Sequence, residues 1–247
     1  MQEKEVVNSD SVLYCGDCLQ ILPQIPEQVI DMIFTDLPYG TTQNQWDCKI
    51  DLEELWKQYK RIIKPNGCIA LWAQSPFDKV LACSNLSEYR YEWIIEKTKA
   101  TGHLNASRMP MKAHENVLIF YKKLPTYNPQ KTTGHKPVHS YTKHTGDGSN
   151  YGKTKIGVSG GGSTERHPRD VLTFKWDTQK CRLHPTQKPL AACKYFIETY
   201  TNPGEVVLDS CMGSNTTGKA CKELGRKYIG IENDEAIFEI AKRRNEE

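Results

Sequence analysis

The sequence predicts an α/β protein built on an open, mostly parallel sheet, and three observations predict it. Short apolar runs of strand length alternate with stretches whose apolar residues recur at helical spacing, first over residues 12–86 and again from 190 to the end. Acidic or glycine-bearing turns stand directly after several of these runs, where open α/β sheets place their chemistry. Between the two alternating parts, residues 125–170 lose apolar periodicity and fill with glycine, serine, threonine and lysine.

The elements follow in order. Val12-Leu13-Tyr14-Cys15-Gly16-Asp17 reads as a strand ending in an acidic turn. Val29-Ile30-Asp31-Met32-Ile33-Phe34 is the next strand, followed by Asp36-Leu37-Pro38-Tyr39. Leu52, Leu55, Tyr59, Ile62 and Ile63 recur at helical spacing, and Pro65-Asn66-Gly67 is expected to stop that helix. Cys68 to Trp72 is a third buried strand, and Pro76 opens a helix at its first turn. Residues 91–95 and 117–121 form two more strands with a polar connection, in which His103, Arg108, Lys112 and His114 read as solvated. Past the insertion, His184-Pro185-Thr186-Gln187-Lys188-Pro189 leads into a helix. Pro189 suits its first position, which sets Lys188 at a positive helix terminus fit to receive a carboxylate. Strand 206–209, a glycine-bearing loop, a helix ending at Gly225, strand 228–231 ending at Glu232 and a last helix close the chain.

Composition narrows the class. The 247 residues, 38% hydrophobic and 26% charged, suit one α/β domain with an insertion. No apolar run approaches the roughly 18 residues of a membrane span. Met1-Gln2-Glu3-Lys4-Glu5 lacks the apolar core of a secretion signal, so a cytoplasmic protein is expected. Nine cysteines without such a signal are expected as reduced thiols. Cys15 and Cys18 have C-x-x-C spacing, but Cys48, Cys181, Cys193, Cys211 and Cys221 supply no second pair, and no metal is expected. A net charge of +3 permits nucleic-acid binding without arguing for it.

In the insertion, charge leans one way: Lys131, Lys136, Lys143, Lys153, Lys155, Arg166 and Arg169 against Asp147, Glu165 and Asp170. Tyr127, Tyr141 and Tyr151 are interleaved and can stack on bases. A solvated flexible loop and a basic arm that orders on DNA are equal readings of this segment by itself.

Two turns carry chemistry. Asp36 and the Leu37 carbonyl can accept both N–H groups of a planar amine while its ring stacks on Tyr39. An ordinary strand-end turn competes with that reading. For the loop after Leu208, three ligands compete. Gly213 to Lys219 matches the phosphate-loop spacing G-x-x-x-x-G-K, but Ala220 stands where magnesium needs a hydroxyl. A dinucleotide would need a central glycine that is absent. An adenosine-bearing ligand without phosphates fits better: Glu232 falls where an acid binds ribose, Lys188 can take an amino-acid carboxylate, and Asp17 can accept from an adenine amine. That combination describes S-adenosylmethionine.

Taken together, Gly16-Asp17-Cys18, Asp36-Leu37-Pro38-Tyr39, the basic insertion, His184 to Pro189, Asp209 to Gly218 and Ile229-Gly230-Ile231-Glu232 resemble, in this order, the β-class N6-adenine/N4-cytosine DNA methyltransferases. The resemblance implies a Rossmann-like methyltransferase sheet of seven mostly parallel strands with helices on both faces and permuted motif order. It implies three parts: a catalytic half (1–124), a flexible target-recognition insertion (125–170) and a cofactor half (171–247). Asp209, Cys211, Met212, Gly213, Ser214, Asn215 and Thr216 would wrap the methionine part of the cofactor, and Thr186 and Lys188 would hold its end. Glu232, with Asn233 beside it, would take the ribose, and Asp17 with the Cys18 backbone the adenine. Leu37 in place of a proline is tolerable because it acts through its carbonyl, whereas Asn215 replaces the glycine usual in that loop. The implied activity is methylation of a flipped adenine at N6 in double-stranded DNA, as in restriction–modification systems. Asp rather than Ser at the head of the tetrapeptide favours adenine. N4-cytosine methylation and a DNA-binding protein without transferase activity are the alternatives. A homodimer and a cognate restriction enzyme stay open.

Overall fold

The computed structural model describes residues 4–7, 10–38, 50–143, 156–175 and 187–246. The strands in chain order are β1 (Lys4–Val7), β2 (Ser11–Cys15), β3 (Ile30–Asp36), β4 (Ile63–Ala73), β5 (Tyr89–Thr101), β6 (Lys112–Phe120), β7 (Tyr141–Thr142), β8 (Ser159–Gly160), β9 (Val171–Phe174), β10 (Val206–Asp209) and β11 (Lys227–Glu232). The helices are α1 (Cys18–Ile21), α2 (Leu52–Ile62), α3 (Phe77–Ser84), α4 (Leu190–Tyr200), α5 (Thr216–Leu224) and α6 (Glu235–Glu246). Two compact units result, one of Met1–Asn128 with Asp170–Glu247 and one of Pro129–Arg169.

The larger unit holds a nine-stranded sheet ordered β1-β2-β11-β10-β3-β4-β6-β5-β9. Its inner seven strands, β2 to β5, are the seven the family resemblance implies, and β1 and β9 extend the two edges. From β2 through β4 every neighbouring pair is parallel, and of the inner seven β6 alone is reversed, antiparallel to both β4 and β5. Side chains alternate along each strand. Met32, Phe34, Cys68, Ala70 and Trp72 therefore face one core with Phe196, Ala220 and Phe238 of α4, α5 and α6. Ile33, Ile69 and Leu71 face the other, with Ile21, Tyr59 and Leu81 of α1, α2 and α3. With both faces covered, only the strand ends are available for chemistry.

Local causes match the sequence at most elements. Leu55, Trp56, Tyr59 and Ile62 form the buried stripe of α2, and Asp51 caps it by accepting from the Glu53 and Glu54 amides at 2.9 and 3.2 Å. One expectation is corrected here. Pro65-Asn66-Gly67 lies inside β4 rather than before it. The register against β3 jumps from Ile30↔Ile63 to Met32↔Cys68, so the turn is looped out as a bulge. Gly67 is needed there, since a Cβ would stand 2.9 Å from the Asp31 carbonyl and 2.6 Å from Ile63. No helix among the described residues is long and apolar enough to cross a membrane.

The smaller unit departs from the structureless stretch expected. Its described residues pair as an antiparallel arm: Thr132 bridges Arg166, the Val138 amide donates to the Ser163 carbonyl at 3.0 Å, and β7 pairs with β8. Polar sequence hid this pairing, because a ladder exposed on both faces needs no apolar alternation.

Candidate active site

Parallel strands put their carboxyl ends on one side of the sheet, and the register fixes what meets there. Glu232 lies beside Cys15, Asp209 beside Gly230, and Asp36 beside Trp72, with Leu208 paired to Ile33. Asp17, Glu232, the loop after Asp209, and Asp36 thus follow one another along β2, β11, β10 and β3. The turn expected to grip an amine and the loop expected to hold a methyl donor stand on adjacent strands.

The glycine-bearing loop is held from several directions. Glu232 accepts the Gly213 amide on Oε2 and the Asp234 amide on Oε1, each at 2.9 Å. The Met212 amide donates to the Ile231 carbonyl and the Gly16 amide to the Glu232 carbonyl, both at 2.9 Å. Tyr59 Oη and Ser210 Oγ are 2.6 Å apart. Arg244 of α6, itself buried, donates to the Ser214 carbonyl (2.9 Å), Ser214 Oγ (3.2 Å) and Thr216 Oγ1 (3.0 Å). Within the loop Cys211 and Gly213 keep partial exposure, whereas Met212, Ser214, Asn215 and Thr216 are buried. Glu232 is likewise partly exposed, and Asn233 and Asp17 are exposed, the Asp17 Oδ1 capping α1 by accepting from the Leu19 amide at 2.9 Å. Cys18 is buried at the start of α1.

Asn215 has a physical account. It adopts φ +62°, the left-handed region where the family's usual glycine would sit at ease and where asparagine is the next best tolerated residue. Its side chain turns into the core and donates to the Ala241 carbonyl at 3.3 Å. The side chain is therefore directed away from the surface of the loop.

Asp209 is buried at the end of β10, and burial raises its carboxyl from 3.8 to about 6, against the lowering effect of the Thr217 hydroxyl and the Cys211 amide. Burial likewise raises Glu232, opposed by its backbone donors. Cys211 is pushed well up by the neighbouring Cys18 thiol and by burial. Cys15 and Cys18 are both free thiols, and the described residues contain no metal-binding cluster.

Asp36 is half-buried at the end of β3, Leu37 is buried and Pro38 half-buried. Lys188 differs from expectation. Pro189 is the cap of α4 rather than its first residue, and the Lys188 ammonium lies 2.9 Å from Asp36 Oδ2 and 2.9 Å from Glu115 Oε2. It also stands 4.9 Å from the Trp72 ring centroid. Lys188 thus pairs with two carboxylates of the chain itself. Glu115, Tyr59 and Arg244 escape sequence reading. Each reaches the site from an element distant in the chain, and only the spacing of Tyr59 gave a signal, which was that of a core residue.

Tyr39, Thr186, Lys153 and Lys155 lie outside the described residues. Among the other insertion cations, Lys136, Lys143 and Arg169 are exposed. Lys131 pairs with Glu165 at 3.0 Å. Arg166 is spent inside its unit, donating to the carbonyls of Ser163 (3.1 Å), Glu165 (2.9 Å) and Lys136. His103 and Arg108 are exposed between β5 and β6, whereas Lys112 and His114, expected in that connection, are exposed on β6 itself.

Comparison with known proteins fits this geometry. Type II methyltransferase M.HinfI of Haemophilus influenzae is 27% identical over 280 residues, spanning 99% of this chain and 70% of that protein. DNA adenine methyltransferase YhdJ of Escherichia coli (strain K12) is 28% identical, spanning 96% of this chain and 83% of that protein. The crystal structure of the M1.HpyAVI–SAM complex is 25% identical, with a TM-score of 0.63 over 94% of this chain and 98% of that one. The cytosine-N4-specific PvuII DNA methyltransferase shares the fold at 16% identity, with a TM-score of 0.70 over 96% of this chain and 87% of that one. A family model for N6 and N4 methyltransferases, described as DNA methylase, matches residues 30–243. A match over most of the chain, on a sheet whose motif-bearing strand ends adjoin, places this protein in the N6/N4 DNA methylase family.

Proposed function

We propose that the chain transfers a methyl group from S-adenosylmethionine to the N6 amine of an adenine flipped out of double-stranded DNA. The observation that carries this reading is the adjacency of β3 and β10, which brings the Asp36 turn beside the Asp209 loop. The residues present fit the donor. Asp17, Asp209 and Glu232 make an acid-rich site that disfavours phosphate and suits a ligand with a sulfonium, an ammonium and ribose hydroxyls. Glu232 and Asn233 take the ribose, Asp17 and the Cys18 backbone the adenine, and the loop from Asp209 to Thr216 the methionine part. Lys188, which pairs with Asp36, takes the methionine end, a role the sequence also gives to Thr186.

An exocyclic amine is a poor nucleophile because its lone pair is delocalised into the ring. Asp36 and the Leu37 carbonyl draw on its two N–H groups, favouring a pyramidal nitrogen, and Pro38 stiffens the turn. S-adenosylmethionine supplies an electrophilic methyl on sulfur. As the nitrogen becomes cationic, the Asp36 carboxylate stabilises it and the chain's remaining contribution is positioning. The base has to leave the stack to reach Asp36, and Tyr39 supplies an aromatic face for it. The insertion, 125–170, is the target-recognition part, with Lys131, Lys136, Lys143, Lys153, Lys155 and Arg169 toward phosphate and Arg166 bracing the arm. Adenine is favoured over cytosine because aspartate opens the tetrapeptide.

The test is Asp36→Ala. Donor binding by calorimetry is expected to persist while methyl transfer to DNA is lost, and nucleoside analysis of wild-type product is expected to give N6-methyladenine. Undiminished turnover in the variant removes Asp36 from this role, and N4-methylcytosine in the product reassigns the base.

A further inference from the structure

We infer that Glu115, braced by Lys97, is a positioning residue for methyl transfer: it shares the Lys188 ammonium with Asp36 and so sets how the Asp36 carboxylate meets the target amine. The inference rests on the catalytic reading of Asp36 given above.

Four charges alternate along one path. Lys97 Nζ lies 2.6 Å from Glu115 Oε1, Lys188 Nζ 2.9 Å from Glu115 Oε2, and Lys188 Nζ 2.9 Å from Asp36 Oδ2. The side chains of Lys97, Glu115 and Lys188 are 9, 10 and 12% exposed, against 26% for Asp36. Exposure thus rises along the path toward Asp36, the carboxylate of the active turn. Burial would raise the Glu115 carboxyl, but the two ammonium groups outweigh it and hold it down to about 2. Glu115 thus stays charged wherever the enzyme can work.

The parts come from separate elements: Asp36 from β3, Lys97 from β5, Glu115 from β6, and Lys188 from just before α4. β6 is adjacent to β4, and β4 to β3, so Glu115 is linked to Asp36 across an intervening strand through Lys188. Trp72, on that intervening strand, offers its ring to the same ammonium. Lys188 is thus held by a carboxylate on each side and an aromatic face.

The consequence is electrostatic. In a partly dry site, an ammonium facing Asp36 alone would draw the whole carboxylate to itself and compete with the amine. Glu115 takes a share of that ammonium, and Lys97 balances the second oxygen of Glu115. Fixing Asp36 Oδ2 in this way also fixes the plane of the carboxylate. Removing only the Glu115 charge would leave Lys97 and Lys188 as like charges across the same small space, a costly arrangement when buried.

The experiment compares Glu115→Gln, the double variant Glu115→Gln with Lys97→Met, and Asp36→Ala. Single-turnover methyl transfer is measured at saturating S-adenosylmethionine and DNA, with donor affinity, DNA affinity and melting temperature for each. The double variant removes both brace charges together and leaves no unpaired buried ammonium. Both Glu115 variants are expected to lose about 10- to 100-fold in the single-turnover rate, the effect of a small misplacement at the reacting centre. Donor affinity and DNA affinity are expected to stay near wild type in both, and melting temperature in the double variant, whereas Glu115→Gln by itself leaves two buried like charges and is expected to lose melting temperature. A full rate in either variant overturns the inference. So does a rate loss in the double variant accompanied by matching losses of melting temperature or donor affinity, because that pattern marks a purely architectural ion pair. A dead Asp36→Ala beside a fully active Glu115→Gln refutes only this inference, whereas an active Asp36→Ala refutes the catalytic reading beneath it.

Discussion

Replacing Asp209 by asparagine should stabilise the protein at neutral pH and leave it nearly unchanged in acid. The Asp209 carboxyl ordinarily titrates at 3.8 and in the fold at about 6, with burial the leading cause. Each unit of difference corresponds to about 1.4 kcal/mol, so the ionised form costs the fold about 3 kcal/mol. The sign follows from proton binding. Between 3.8 and about 6 the folded chain holds this proton more tightly than the unfolded chain, so stability falls as pH rises through that window. Below it both states are protonated and the cost vanishes. Urea unfolding of wild type and Asp209→Asn from pH 4 to 8 isolates this contribution, since every other titrating group cancels in the difference. The stability gained by the variant should climb with pH to about 3 kcal/mol and level off near neutrality. A pH-independent difference, or one of opposite sign, would refute the reasoning. The same variant should bind S-adenosylmethionine more weakly at pH 7, because the proposed role of this buried charge is to meet the cationic methionine end.

Other expectations follow from the loop's supports. Asn215→Ala should lose about 1–2 kcal/mol because alanine tolerates the left-handed region poorly, and Asn215→Gly should lose less, both read by urea midpoint. Gly230→Ala would place a Cβ 2.5 Å from Met212 Sδ and 2.8 Å from the Tyr228 ring. That overpacking should cost about 1–3 kcal/mol in thermal unfolding. It should also weaken donor binding in calorimetry, because Met212 belongs to the loop. Arg244→Met leaves the Ser214 and Thr216 acceptors buried without this donor. A loss of about 1–3 kcal/mol and a raised donor Kd are expected, and unaltered affinity would separate α6 from the site. Trimming residues 142–162 should weaken DNA binding and flatten its salt dependence. An unchanged salt slope would remove the insertion from phosphate contact.

Much of the site was legible in the chain alone. The strand ends carrying Asp17, Asp36, Asp209 and Glu232 announce themselves, because an apolar run of strand length that breaks at an acidic turn is a purely local signal. Arg244 and Glu115 give no such sign. Both are charged residues near the end of a helix or within a strand, the places where solvated side chains are ordinary. Lys188 was legible as a candidate site residue, but its partners within the chain were not. Its position before α4 pointed to a ligand carboxylate, and nothing local to residues 184–189 shows that Glu115 lies within reach.

By itself the sequence determined the alternating architecture, the order of the motifs and the strand ends that bear them, because periodicity and turn chemistry act over a few residues. Tertiary structure decided which of those ends adjoin, that the insertion pairs as an arm, and that Asp36 ends a buried path of charge from Lys97. Coulomb interaction and burial depend on distance in space, and residues 36, 97, 115 and 188 acquire theirs only when the sheet closes around them.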